Sequence, residues 1–175
     1  MKNATWDDCV AFHGHSCGGL TIGYKAALYA IELLELKFSD DEEVCCICEN
    51  DACGVDAIQV MLGCSAGKGN LMFHLNGKQA FSFYERSSGK SVRLVLRPRP
   101  EHMTREESFG YYQSRKPAEL FDVKPVKMAL PEGARMFANC VCAECGEEFA
   151  EKYAHLVEGK ILCRDCYKPY TRYDV

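Results

Sequence analysis

Near the C-terminus, Cys142-Ala-Glu-Cys145 and Cys163-Arg-Asp-Cys166 form two CxxC pairs separated by seventeen residues. That is the spacing of a four-thiolate zinc site, in which each pair supplies two sulfurs from one tight turn. The competing uses of such cysteines are two disulfides in a secreted chain, or free thiols. Near the other end, His13, His15 and Cys17 alternate through the loop Phe12-His13-Gly14-His15-Ser16-Cys17-Gly18-Gly19. Imidazole and thiolate both suit borderline-soft metals. Cys17 directly precedes a predicted helix, whose positive end favours a thiolate. Cys53 occupies the same kind of position before another predicted helix. The group therefore reads as a reactive or metal-binding constellation; the alternative is that both cysteines are small buried hydrophobes and one histidine caps a helix.

The elements that carry these residues follow from pattern. Thr5 with Asp8 forms a capping box for a short first helix through about Phe12. A long helix follows over roughly 18–37, with Leu20, Tyr24, Ala27, Ile31 and Leu34 on one face. Residues 44–49 read as a strand and 54–63 as a helix. Three further strands are predicted over 71–75, 79–85 and 92–97, with Asn76-Gly77 and Ser88-Gly89 as hairpin turns. Arg97-Pro98-Arg99-Pro100 ends the sheet, because proline donates nothing to a ladder. Thr104 caps another helix through about Arg115, and Pro117 ends it or starts a new one. Within the finger, Gly146 supplies a positive φ, Glu158-Gly159 turns a hairpin, and Cys163–Cys166 opens a short helix in a treble-clef or ribbon-like module. The expected architecture is α+β, with helices packed on a mostly antiparallel sheet, followed by a small four-cysteine zinc-finger domain. The boundaries are a core over 1–123, a linker over 124–138 and a finger over 139–175.

Geometry limits which cysteines can cooperate. Cys53 and Cys64 are eleven residues apart, roughly 16 Å on a straight helix at ~1.5 Å per residue. Cys53 is then the better partner for His15 and Cys17, and Cys64 joins them only if the helix is short. Asp56 and Gln59 are neighbours on one helix face, able to hold a substrate or orient a ligand histidine, or simply to face solvent. Gly67-Lys68-Gly69 is not a phosphate-binding loop, since Leu62 stands at the first glycine and Gly69 at the required Ser/Thr. Cys45 and Cys48 point to opposite faces of a strand and read as core. Arg93, Arg97, Arg99 and Arg105 form a group able to bind an anion, but read first as a solvated strand edge.

Composition narrows the function classes. The 175-residue chain is 47% hydrophobic with a net charge of −4. That charge disfavours a general nucleic-acid binder. From residue 139 onward five Lys/Arg stand against seven Asp/Glu, so the finger offers no basic face either. Met1–Asp8 contains no apolar signal-like stretch, and no run approaches the ~20 apolar residues of a membrane span. With twelve cysteines, a reduced, cytoplasmic chain using thiols for metals is the expectation.

Three motifs together resemble the FmdE family, associated with formylmethanofuran dehydrogenase: Phe12–Leu20, Cys53-Gly54-Val55-Asp56-Ala57-Ile58-Gln59, and Gly63-Cys64-Ser65-Ala66-Gly67-Lys68-Gly69-Asn70-Leu71, with the Gly89–Arg93 strand after them. One departure is visible: Cys17-Gly18-Gly19 stands where the family usually has Cys-Pro-Gly, which loosens the loop that holds Cys17. The resemblance implies an α+β core, a frequent C-terminal zinc finger and a homodimer. The molybdenum or tungsten pterin chemistry of the complex is not implied, because the chain lacks the size for the pterin and lacks an iron–sulfur cysteine run.

Three functions are weighed. The first is an accessory or regulatory protein of anaerobic one-carbon or molybdenum/tungsten enzyme metabolism. It would carry structural zinc on Cys142, Cys145, Cys163 and Cys166 and a second core metal on His15, Cys17, Cys53 and Cys64, with the finger docking a protein partner or a second copy, domain-swapped or not. The second is a small stand-alone enzyme in which Cys17 or Cys53 is the nucleophile or metal ligand, a histidine such as His13 the proton carrier and Lys68 an anion holder, with Asp56 a further candidate catalytic residue. The third, a nucleic-acid-binding regulator, is disfavoured by charge. Neither nucleic acid nor membrane is an expected partner.

Overall fold

A computed structural model describes residues 4–173 of the chain. Within it the chain forms two compact units, residues 1–133 and 134–175. The first three residues of the N-terminal segment read for a signal, and the last two of the finger, lie outside the described residues.

The first unit contains a five-stranded sheet in the order β2-β1-β3-β4-β5. Its strands are β1 (Val44–Cys48), β2 (Leu71–Phe73), β3 (Ala80–Glu85), β4 (Ser91–Leu96) and β5 (Phe121–Lys124). All neighbours are antiparallel except β1 and β2, which pair in parallel, Cys46 opposite Leu71. The fold is therefore α+β with an antiparallel-rich sheet, as the sequence predicts. The hairpin predicted at Asn76-Gly77 does not form. The helix between β1 and β2 carries the chain back to the same end of the sheet, so β2 runs parallel to β1 as a three-residue edge. The Asn76 amide instead donates to Glu49 at 2.9 Å.

Helices α1 (Trp6–His13), α2 (Gly18–Leu34), α3 (Gly54–Leu62), α4 (Arg105–Ser114) and the one-turn α5 (Pro117–Leu120) complete the unit. The predicted Thr5–Asp8 capping box is present, and the predicted cap at Thr104 proves to be a second box, with Glu107. The α4 C-terminus is closed by Lys25, whose ammonium donates to Gln113 O at 3.0 Å and Arg115 O at 2.8 Å. One sheet face buries Cys46, Cys48, Phe81, Phe83, Val92 and Leu94 in a common core with α2 and α3. The predicted core reading of β1 holds. Cys45 faces the other side with Ile47 and Tyr84, and burial raises the Cys45 and Cys46 thiols above their ordinary range.

That second face must be covered, because it carries a buried ion pair as well as apolar groups. Arg93 Nη2 donates to Glu49 at 2.9 Å, and this contact holds the Glu49 carboxyl down to about 2. The cover is partly the segment that reads as a linker in sequence. Val126 and Met128 pack against the Tyr84 cluster, Tyr84 Oη donates to Met128 O at 2.9 Å, and Arg86 Nη1 donates to Pro131 O at 2.7 Å. The division between units accordingly falls after Gly133, nine residues beyond the last strand residue, Lys124.

The second unit is two short hairpins, β6–β7 (Asn139–Val141 with Glu148–Ala150) and β8–β9 (His155–Val157 with Lys160–Leu162). Gly146 has φ 76°, the left-handed turn expected directly after the second ligand cysteine. The predicted short helix at Cys163–Cys166 is absent: the pair sits on a turn closed by Tyr167 N–H donating to Cys163 O at 2.9 Å. Pro169 explains this, since it biases Lys168 away from helical geometry. The module is thus ribbon-like rather than treble-clef among the described residues.

Candidate metal and thiolate centres

The approach of two helices builds the N-terminal site. A Cβ added at Gly23 would lie 1.9 Å from Gly54 O, so α2 and α3 touch backbone to backbone. Only glycine permits that contact, and it sets the N-termini of the two helices side by side. Cys17 is the N-cap of α2 and Cys53 that of α3. A methyl at Gly19 would stand 3.5 Å from Cys53 Sγ and 3.9 Å from Cys17 Sγ, so both thiols border one backbone position.

The two thiols are not equivalent. Cys17 Sγ accepts the Leu20 N–H at 3.3 Å, a side-chain N-cap of α2. Cys53 makes no such bond. Its thiol is raised above the ordinary range, first by burial and then by the neighbouring Cys17. The sequence treats them as a matched pair; in the structure only Cys17 makes a side-chain cap.

His13 ends α1 and reaches both ways. Its Nδ1 lies 2.7 Å from Asp56 Oδ2, and its Nε2 lies 3.8 Å from Cys17 Sγ. Gln59 Nε2 donates to the other Asp56 oxygen at 3.2 Å. The polar stripe of α3 is therefore not a solvated face but the support for a histidine. With Nδ1–H donating to the carboxylate, Nε2 presents its lone pair toward Cys17. His15 stacks near His13, with ring centroids 4.5 Å apart. One ligand atom from each of His13, His15 and Cys17 lies within 4.8 Å of the others. Two nitrogens and one sulfur in that space fit a first-row transition metal.

Two predicted members stand apart. Cys64 is fully buried, directs its thiol at Val44 O at 3.6 Å, and is pushed up to about 12 by burial. The nine-residue helix α3 and its left-handed C-cap Gly63 stand between it and Cys53, and its thiol points into the core, which corrects its inclusion in the core site. Lys68 is likewise corrected as an anion holder: its ammonium donates to Ser39 O at 2.7 Å and Asp40 O at 3.4 Å. Asn70 of the same motif spans Asp41 O, Val44 O and the Ser65 N–H. The third motif holds a loop together.

The arginine group also divides. Arg93 pairs with Glu49 inside the sheet and Arg97 with Asp122 at its edge. Arg99 and Arg105 line a cavity with His15, Cys17 and Cys53. These arginines group together in sequence because they are close along the chain; strand alternation and the loop after β4 separate them.

In the second unit Cys142, Cys145, Cys163 and Cys166 have their sulfurs within 4.8 Å of one another. Around zinc at ≈ 2.3 Å, tetrahedral sulfurs stand about 3.8 Å apart. Cys145 and Cys163 are 4.0 Å apart, so the donor set fits zinc. Backbone N–H groups of Cys145 and Cys163 draw the Cys142 thiol down to about 6, while a hydrogen bond with Cys163 raises Cys166. All four corners are protein ligands, so this is a closed structural site.

The family model described as FmdE, molybdenum formylmethanofuran dehydrogenase operon, matches residues 12–146. The chain belongs to the FmdE family. A second model, the prokaryotic DksA/TraR C4-type zinc finger, matches residues 135–172. Among solved structures, a tungsten formylmethanofuran dehydrogenase FmdE-like protein from Syntrophus aciditrophicus is similar. It has a TM-score of 0.70 at 25% identity, over 90% of this chain and 86% of that one. A protein from Archaeoglobus fulgidus described as a probable S-adenosyl-L-methionine-binding protein is 27% identical over 168 residues, 78% of this chain. The chain spans under half, 46%, of that relative's length. No helix among the described residues is long and apolar enough to cross a membrane.

Proposed function

We propose that this FmdE-family protein carries a second metal ion in its core, on His13, His15 and Cys17 with Cys53 alongside. We propose further that it serves as an accessory or regulatory protein of anaerobic one-carbon or molybdenum/tungsten enzyme metabolism. The observation that carries the core site is the Asp56–His13–Cys17 chain: a ligand histidine held through its second nitrogen by a carboxylate at 2.7 Å, beside two further donors. A metal-binding histidine characteristically has such a partner, which fixes its tautomer and its ring. The finger, with its closed zinc site and net acidic composition, is read as a docking or dimer-stabilising appendage rather than a nucleic-acid reader. The archaeal relative's ligand stays with that protein, of which this chain spans less than half.

Metal counting tests this reading. Protein purified without added metal should hold about two metal equivalents per chain, one of which is lost in Cys17→Ser and the other in Cys142→Ser. A Cys17→Ser protein of unchanged fold that keeps both metals would sink the core site.

One observation favours a second reading. His13 Nε2 stands 3.8 Å from Cys17 Sγ, and Asp56 orients the ring. Carboxylate, imidazole and thiol in that order also describe an activated nucleophile. In that case Cys17 should be alkylated selectively well below the pH at which free thiols react, with no core metal to protect it.

A further inference from the structure

The core centre lies between two clefts of opposite character. On one side His13, Cys53 and Asp56 border a cleft of about 430 Å³ that also contains Asp51. On the other, His15, Cys17 and Cys53 border a cavity of about 550 Å³ that Arg99 and Arg105 also line. No aspartate or glutamate lines this second cavity among the described residues, although the whole chain has a net charge of −4.

The pairing of the arginines makes the asymmetry specific. Within the first unit, Arg86 meets Glu42, Arg93 meets Glu49, Arg97 meets Asp122 and Arg115 meets Glu119. Arg99 and Arg105 meet no carboxylate among the described residues. Arg99 only makes a long contact, 3.5 Å, to Met103 O, which fixes its loop rather than neutralising its charge. Both guanidiniums thus keep their donors for something else, and a guanidinium fork matches a carboxylate.

We infer that this cavity binds a small organic acid, its carboxylate between Arg99 and Arg105 and its other end directed at His15 and Cys17. This deepens the core-site reading and rests on it for what happens at the inner end. Thr104 and Ser108 add hydroxyl groups near the arginines, while Ile22, Met103 and the buried Tyr112 supply apolar wall. A cavity of about 550 Å³ lies within the ~300–1,000 Å³ range of small-molecule sites. It is roomy for a one-carbon anion and suits an acid with a short apolar or aromatic body.

The test is calorimetric titration of the metal-replete full chain with formate, butyrate and benzoate, and with benzamide as the neutral isostere. Butyrate or benzoate should bind more tightly than formate, and benzamide should fail to bind. The Arg99→Gln/Arg105→Gln variant should bind these acids at least about tenfold more weakly, with melting temperature and metal content unchanged. Both positions are exposed, so the variant tests binding rather than folding. Equal affinity in the variant, equal binding of benzamide, or no saturable binding of any acid overturns the inference. Counting metal in the same preparations separates the two proposals: arginine-dependent benzoate binding to protein with no core metal keeps the anion cavity and discards the metal.

Discussion

His13 has one nitrogen against a carboxylate and the other beside a sulfur, and that division determines what Asp56 does. Asp56 hydrogen-bonds His13 and Gln59, so it is a positioning residue that holds the Nδ1–H form and raises the donor strength of Nε2. Asp56→Asn keeps a similar shape but removes the charge and allows the wrong tautomer. Core metal affinity should fall ~10–100-fold, measured by competition with a chromophoric chelator, while the melting temperature stays close to wild type. Unchanged affinity would remove Asp56 from the site. Both residues were legible as chemistry in the sequence; their partnership was not. They are 43 residues apart, on helices whose crossing no periodicity announces. The same limit applies to Cys53 and Cys64. Spacing argued that they could not share an ion, but only the burial of the Cys64 thiol against Val44 O decides that Cys64 belongs to the core.

At the scale of elements, the site depends on two glycines. A methyl at Gly23 would meet Gly54 O at 1.9 Å, and a backbone atom there cannot move aside as a side-chain tip can. Gly23→Ala must push α2 and α3 apart at the end where Cys17 and Cys53 stand. The expected cost is ~1–3 kcal/mol from overpacking, with loss of core metal beyond what the destabilisation explains. Gly110→Ala is the control. Gly110 lies in the exposed interior of α4 with nothing within 4 Å of an added Cβ, so alanine should stabilise by ~1 kcal/mol through helix propensity. Thermal melts with metal analysis of both variants decide it, and a Gly23→Ala protein with wild-type stability and metal would refute the close approach. Helices, capping boxes and the antiparallel β3–β4 hairpin were readable because each is written locally. The β1–β2 pairing and the cover over Tyr84 were not. The first depends on a helical crossover, and the second on a proline-bearing segment whose only apolar anchors, Val126 and Met128, look like a linker until the far face of the sheet is known to need them.

The whole molecule joins two units that are stabilised by different means. The first has a continuous apolar core and a buried Arg93–Glu49 pair, with Phe81, Phe83, Phe121, Leu20 and Ile58 fully buried. In the second, Cys142 is the one buried residue among those described from 134 to 173, and Leu156, Ile161 and Val141 are exposed on its short strands. Two hairpins of three-residue strands cannot hold themselves together in water. The zinc site must supply that energy, and structural zinc binding is worth ~10–16 kcal/mol in finger peptides. Hydrogen exchange on the full chain should therefore show two behaviours in the Cys142→Ser variant. Amides of β6–β9 should lose protection, while those of β1, β3 and β4 keep theirs. Adding zinc to the variant should not restore the finger, because three thiolates leave one corner to water. Persistent protection in β6–β9 without Cys142 would mean that something other than the metal folds this unit. Loss of protection in β1 and β3 would mean that the first unit does not stand on its own core. The CxxC pairs are the clearest signal in the sequence for the same reason that they are indispensable here: the finger has little else to fold around.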